Sequence, residues 1–558
     1  MTSLIPPGLL LILGALVVPL LGRVGRQLVA LVLPLVALAI VVLVPEGAAL
    51  RSRFHDFTIV WLDVDLLGRL FAIAFCVTAF AGALFAAGRV NRVEMAAALL
   101  LAGGAIGAVL AGDLIAFLVF WEMMAVGSTV LVWCGGTPAA LRAGQRYAAI
   151  HIAGGALLMI GVVGHVALGG SAAFTALALE SWPQWLILTG ILLNAAAFPL
   201  SAWLPDAYPE SSPSGMVFLS AFTTKTAVFA LLRLFPGTDL LVPIGFVMVL
   251  YGIVYALREN DLRRLLAYSI VTQVGFMIVG VGIGTAMALN GAAAHAFAHV
   301  LYKALLVMAA GAVMTMTGRR HATDLGGLWR SMPVTMVCCV IGTLSIMAAP
   351  LTSGFVTKAM IAQAAVDEGQ VMIWLLLTAA SAGTLVYLSL PWFLFFQRDS
   401  GLRPPEAPAT MRAAMILLAA LCLGIGLFPE PLYTLLPFGV EFVPYSADHV
   451  FGQLQMLGGC ALVFFLARRF LTRRTAPLLD VDWLYRQAGP RLVRGALQQI
   501  TAAGSRAQAM ADRTIAALTA TLARHHGPAG RFGRTVPVSQ AAVWVIVLLL
   551  AFLVAEFA

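Results

Sequence analysis

Lysine is nearly missing from this chain of 558 residues: of 34 basic side chains only three are lysine, and the rest are arginine. Charge of either sign is scarce, at 11% of residues against 61% hydrophobic, which excludes an ordinary soluble globular protein. The six cysteines (Cys76, Cys134, Cys338, Cys339, Cys422, Cys460) have no CxxC spacing and no His/Cys ligand pattern. They read as small apolar residues and indicate neither a disulfide framework nor a metal site. Iron–sulfur and nucleotide-phosphate motifs are lacking, so no cofactor is expected in this chain. The first apolar run has no basic n-region and no small-residue cleavage site, and it is read as a first span instead of a signal peptide.

What the chain has in place of charge is apolar length. About sixteen stretches are expected to cross a bilayer: near 4–22, 26–45, 66–87, 93–112, 114–134, 145–168, 184–200, 212–236, 241–257, 263–285, 288–316, 333–366, 371–397, 410–428, 449–471 and 537–557. The twelfth is interrupted by Pro350 and Gly354. The fold class is therefore all-α, a polytopic membrane protein.

The net charge of +9 is explained by topology and not by nucleic acid. Arginines follow the odd spans: Arg23 and Arg26, Arg89 and Arg92, Arg142 and Arg146, then Arg258, Arg263 and Arg264. They recur at Arg319, Arg320 and Arg330, at Arg398 and Arg403, and at Arg468, Arg469, Arg473 and Arg474. Loops after even spans are mostly free of base or acidic, Arg51 and Arg53 excepted. The positive-inside rule then puts both termini outside.

All three lysines sit within apolar stretches: Lys225 in SAFTTKTAVFALLRL, Lys303 in HAFAHVLYKALLVMAAG and Lys358 in LTSGFVTKAMIAQAA. A guanidinium keeps its charge, whereas a buried ammonium can release its proton. Lysine is thus placed where protonation is reversible, the pattern of a proton path. The competing explanation is an arginine-rich composition that has left three lysines by accident. Glu122 lies mid-span in DLIAFLVFWEMMAVGSTVLVWC, where an unpaired carboxylate is costly; helix–helix hydrogen bonding is its plainer role. His295, His299 and Lys303 are spaced i, i+4, i+8 and share one helix face, as a relay of titratable groups requires. The same spacing of two histidines suits zinc, but no third ligand or adjacent glutamate accompanies it.

Pro350 and Gly354 before Lys358 predict a broken helix carrying an ionisable group, and Pro199, Pro205, Pro209 and Pro213 predict a second interruption. Asp261, Arg263 and Arg264 at a helix start are accounted for by an N-terminal acid and cytoplasmic anchoring charge. Beyond span 15, residues from about 484 to 526 favour an amphipathic helix of roughly 60 Å, lying on the membrane surface or against neighbouring subunits.

Seven segments in order resemble one superfamily: FWEMMAVGSTVLV, FPLSAWLPDAYPESSP, TTKTAVFALLR, DLRRLLAYSIVTQVGFM, HAFAHVLYKALLVMAAG, DLGGLWRSMP and PLTSGFVTKAM. From about 60 to 400 the chain resembles the antiporter-like subunits of respiratory complex I and of Mrp-type multisubunit Na+/H+ antiporters. The WLPDAYP form looks most like the Mrp D subunit. The resemblance implies a multi-pass protein of a bacterial plasma membrane, working with other membrane subunits of an antiporter complex on protons and Na+. It implies two inverted five-helix repeats at about 93–236 and 241–397, inside a core of 91–400. Around that core are N-terminal helices (1–90), additional helices (401–475), a lateral helix (476–535) and a final span (536–558). Glu122, Lys225, His295, His299, Lys303 and Lys358 match the family's proton-translocating positions along the bilayer midplane.

Two departures qualify the match. The family's span 7 lysine, partner of the span 5 glutamate, is replaced by Asn194, and a motif histidine by Ser201. Asparagine hydrogen-bonds but carries no proton, which leaves Glu122 without a countercharge. The tail looks like that of the large terminal subunits and not of a usual D subunit. Three other readings stay open: a proton-pumping subunit of a complex I-like or hydrogenase assembly, a proton-conducting partner of an inorganic-carbon transporter, and a structural clamp.

Overall fold

The computed structural model describes residues 5–54, 57–383, 385–467 and 480–557. The chain forms two compact units, Met1–Val481 and Asp482–Ala558. In the first, helices α1 (Pro7–Val17) and α2 (Arg23–Leu43) lead into an antiparallel hairpin, β1 (Ala49–Phe54) and β2 (Phe57–Asp63). This hairpin holds Arg51 and Arg53, the two arginines that break the charge alternation. It was not expected from the sequence, because its alternating run is short and sits between long apolar stretches.

The next helices are α3 (Leu66–Ala86), α4 (Arg92–Val109), α5 (Leu114–Trp133) and α6 (Pro138–Ala167). Each begins on a side chain that accepts from an otherwise unpaired helix-start N–H: Asp65 from Gly68, Asn91 from Glu94, Asp113 from Ala116 and Thr137 from Ala140. Then come α7 (Trp182–Asn194), the short α8 (Trp203–Ala207), α9 (Pro213–Ala221) and α10 (Thr223–Leu234). The expected span at 212–236 is hinged at Phe222, a break that no proline or glycine announces.

Continuing, α11 (Leu241–Arg258), α12 (Leu262–Ile283) and α13 (Ala286–Thr317) precede α14 (Pro333–Ile346) and α15 (Ser353–Asp367). The last helices of this unit are α16 (Val371–Ala382), α17 (Leu385–Pro391), α18 (Ala409–Leu427), α19 (Glu430–Tyr433) and α20 (Ala447–Ala467). The second unit contains α21 (Gly489–His526) and α22 (Val538–Phe557). With 38 residues, α21 is about 57 Å long, and its start lies later than the amphipathic stretch suggested. The arginines expected at 468–474 lie outside the described residues.

Among the described residues, twelve helices are long and apolar enough to cross a membrane, counting α9 and α10 together. Shorter apolar helices occupy Pro7–Leu20, Pro333–Ile346 and Val386–Phe396. The expected stretch at 184–200 holds α7, which ends at Asn194. Helices α12 and α13 are enclosed by protein along almost their whole length, so their polar side chains face other helices and not lipid.

The two halves of the first unit share local geometry in one register. Asp113 caps α5 and bridges to Ala173; Asp261 caps α12 and bridges to His321. The Leu114 N–H donates to the Ala172 carbonyl (2.8 Å), and the Leu262 N–H to the Arg320 carbonyl (3.0 Å). Each member of these pairs stands 148 positions from its counterpart. Both broken segments also end alike: Ala196 and Ala348 each adopt φ 56°, and each following alanine donates to a carbonyl five residues back. A left-handed alanine is uncommon, so its recurrence at two breaks is a specific likeness.

Arg263 departs from its expected role as a surface anchor. It is buried, and its guanidinium donates to the carbonyls of Ser211 (2.7 Å) and Ser212 (2.9 Å), tying α12 to the turn before α9. Asp261 is buried too; burial pushes its carboxyl pKa up, against the pull of Arg320 at 2.9 Å.

Candidate functional site

The helix breaks create the first part of the site. Where α9 gives way to α10, the Ser220 carbonyl accepts a hydrogen bond from Lys225 Nζ (2.6 Å), and Thr224 Oγ1 is a second partner (3.1 Å). Lys225 is fully enclosed, and a carbonyl and a hydroxyl are its polar neighbours instead of a carboxylate. An ammonium so held has no fixed countercharge among its hydrogen-bond partners.

On α13 the predicted face is real: His295, His299 and Lys303 are all buried on one helix. The rings of His295 and His299 lie 6.3 Å apart, with Tyr302 beside both at 6.3 and 5.2 Å. Opposite stands α12. Its Gln273 Oε1 pairs with His295 Nε2 (3.0 Å) and accepts from the Tyr302 hydroxyl (3.4 Å). One helical turn earlier, Ser269 Oγ accepts from Lys303 Nζ. Thus α12 presents a neutral polar ladder to the ionisable row on α13. Neither ring nitrogen of His299 has a hydrogen-bond partner, an uncommon condition for a buried imidazole.

The row continues to α15. Thr357 Oγ1 lies 3.4 Å from His295 Nδ1, and the next residue is Lys358, whose ammonium sits 4.0 Å over the Phe276 ring. Lys358 Nζ has no hydrogen-bond partner, and Lys358 lines a cavity of about 250 Å³ with Gln363, Asp448, His449 and Gln453. Here a titratable group at the end of the row meets a mainly apolar cavity into whose wall these four polar side chains are set. The break at Ala348 is what sets α15 apart from α14 and brings Lys358 to this position.

The remaining predicted residues belong to a separate cluster around α6. Glu122, half-buried on α5, packs its carboxylate where a side chain on Gly155 would begin. Asn194, the last residue of α7, is buried, and its Nδ2 lies 3.5 Å from where a Gly154 side chain would begin. Beside Asn194 is His151 of α6, a buried imidazole that sequence reasoning did not single out. The rings of Tyr147 and Trp203 enclose it at 4.0 and 4.7 Å. Gln273, Ser269 and Thr357 were missed as well. A neutral polar residue in an apolar helix carries no spacing signal, since its partner is on another helix. Among the described residues, no group of three or more His, Cys, Asp or Glu side chains is arranged to hold a metal ion.

Comparison with known proteins agrees with this architecture. Residues 111–383 match the family described as NADH:quinone oxidoreductase/Mrp antiporter, TM. The N subunit of the NADH-quinone oxidoreductase of Desulforudis audaxviator is 32% identical over 310 residues, 52% of this chain and 62% of that protein. The D subunit of the Na(+)/H(+) antiporter of Alkalihalophilus pseudofirmus is 29% identical over 361 residues, 60% of this chain and 72% of that protein. The chain thus spans less than two thirds of the oxidoreductase relative. Among solved structures, a chain of the archaeal membrane-bound sulfane sulfur reductase superposes with TM-score 0.70 at 26% identity, covering 82% of this chain and 98% of that one. With the motif order, the broken helices and the enclosed lysines in agreement, residues 111–383 are similar to the transmembrane family described as NADH:quinone oxidoreductase/Mrp antiporter.

Proposed function

We propose that this chain is a membrane subunit of a multisubunit monovalent cation/proton antiporter, in which protons pass along Glu122, Lys225, His299, His295, Lys303 and Lys358. One observation carries the reading: five of these six groups are buried, and α12 and α15 supply hydroxyl and amide side chains but no carboxylate beside the histidines and Lys303. Charges in such surroundings interact strongly, so a proton arriving at one site biases the next. Na+ is the counter-ion this reading assigns, from the likeness to the D subunit of a Na(+)/H(+) antiporter.

The matched caps, bridges and alanine breaks support two repeats, about 93–236 and 241–397, as the working halves. We place the protein in a bacterial plasma membrane with both termini outside, as the arginine distribution suggests, and with other membrane subunits on its flanks. A second reading, a proton-pumping subunit of a respiratory assembly, draws support from the likeness to the oxidoreductase N subunit and to the archaeal respiratory complex. Purification in mild detergent separates the two. Small antiporter subunits among the partners favour the first, and quinone or iron–sulfur subunits favour the second. Na+- and K+-driven proton flux in vesicles carrying that complex then tests the activity.

A further inference from the structure

The 148-residue register that relates the two helix caps also runs through α6 and α13. It sets Tyr147 on His295, His151 on His299 and Gly155 on Lys303, and it aligns Ala156-Leu157-Leu158 with Ala304-Leu305-Leu306. His151 is therefore the first-half counterpart of a histidine in the buried row. Its surroundings match that position. It is only 2% exposed, its Nε2 has no hydrogen-bond partner, and the buried Asn194 Oδ1 nearby has none either.

Geometry ties it to Glu122. Side chains at i and i+4 on a helix begin about 5–6 Å apart, and the Glu122 carboxylate occupies the place where a Gly155 side chain would begin. His151 is the residue four before Gly155, on the same face. The carboxylate thus sits about one helical turn from where the His151 side chain begins. The other groups around His151 are Tyr147 on α6, Asn194 on α7, Trp203 on α8 and Tyr208 beyond it. None of these carries charge in the neutral range, since tyrosine ionises only near pH 10 and the others do not ionise. The ion pair of Arg146 and Asp206 joins α6 to α8 and is mutually neutralised (2.7 and 2.8 Å).

Resting on the antiporter reading above, we propose that His151 is the proton carrier of the first repeat and exchanges protons with Glu122, in a place where Asn194 holds none. In the step, the carboxyl O–H of Glu122 breaks and an N–H forms on the imidazole, leaving a carboxylate and an imidazolium. Release of that proton toward a neutral Lys225 returns the imidazole to its neutral form, and a new proton taken up by the Glu122 carboxylate resets the pair. His151 does for the first half what His299 does for the second.

The test uses the purified complex in proteoliposomes, with cation-driven proton flux measured for His151→Gln, His151→Asn, Lys358→Ala and His151→Gln combined with Asn194→Lys. Both amide variants keep hydrogen bonding without a titratable nitrogen, so either one that assembles serves. The proposal expects at least about a hundredfold loss on replacing His151, the lower end of what a positioned proton-transfer group contributes. It also expects recovery when Asn194→Lys returns a titratable group beside it. Wild-type flux in an assembled His151 variant, or a loss that Asn194→Lys does not relieve, overturns the proposal. If Lys358→Ala abolishes flux while His151→Gln does not, only the role of His151 falls. If Lys358→Ala and His151→Gln both leave flux unchanged, the antiporter reading falls and takes the proposal with it.

Discussion

Glu122 and Asn194 come from different helices and meet α6 at adjacent residues, Glu122 against Gly155 and Asn194 against Gly154. The two contacts differ in tightness. A methyl on Gly155 would fall on the Glu122 carboxylate, whereas one on Gly154 would stand 3.1 Å from Leu193 and 3.5 Å from Asn194. Elsewhere in a helix, glycine to alanine gains about 1 kcal/mol of helix propensity. Here Gly155→Ala is expected to displace the carboxylate and cut proton flux by up to about a hundredfold, the scale of a misplaced reacting group. Gly154→Ala, which asks the flexible Leu193 end to give slightly, should keep most of the flux. Measuring flux and thermal stability of both variants checks this. Equal flux in the two would show that Glu122's position against Gly155 has no bearing on transport.

Gln273 is the hinge of the polar ladder, because its one carbonyl oxygen serves both His295 and Tyr302. Gln273→Leu removes the partner of His295 Nε2 and of the Tyr302 hydroxyl, at a cost of about 1–3 kcal/mol each, and leaves His295 held through Nδ1 by Thr357 alone. The complex is expected to unfold at a lower temperature in detergent, and its flux should fall because the His295 ring is no longer held at both nitrogens. A variant with wild-type melting behaviour and wild-type flux would remove Gln273 from the path.

Asp206 binds Arg146 through two hydrogen bonds (2.7 and 2.8 Å), with Asp206 nearly enclosed and Arg146 about a quarter exposed. A bidentate pair of this kind is strong, and removing one partner strands the other. Because Arg146 reaches solvent, Asp206→Ala is expected to cost about 2–3 kcal/mol, below the full figure for a wholly buried pair. The double variant with Arg146→Ala should cost less than the two single costs added. A thermal double-mutant cycle measures this coupling. Strict additivity would show that the pair holds nothing together.

The burial and helical placement of the candidate residues were more legible than the breaks and partners that hold them. A lysine in an apolar run has no ordinary explanation, so Lys225, Lys303 and Lys358 stood out, and all three are buried. His295, His299 and Lys303 shared a spacing that only a helix face gives, and α13 provides it. Pro350 and Gly354 announced the break before Lys358. The hinge at Phe222 had no such marker, because it is set by packing and by the Lys225 bond to the Ser220 carbonyl. Gln273, Ser269 and Thr357 gain their meaning from residues at least 22 positions away. His151 carries no sequence signal of its own, since what ties it to His299 is the register of the two aspartate-capped helices, a feature of the fold. The hairpin at 49–63 likewise turned two apparently misplaced arginines into strand residues.

The whole account depends on enclosed charges that pass protons inward from helix to helix. The most direct measurement is Na+- or K+-driven proton flux into proteoliposomes holding the intact complex, comparing wild type with Glu122→Gln, Lys303→Met and Lys358→Ala at equal protein loading. The account predicts that each variant assembles and that each loses about 99% or more of the flux, the lower end of what a positioned proton-transfer group contributes. Assembled variants that carry protons as fast as wild type would contradict it.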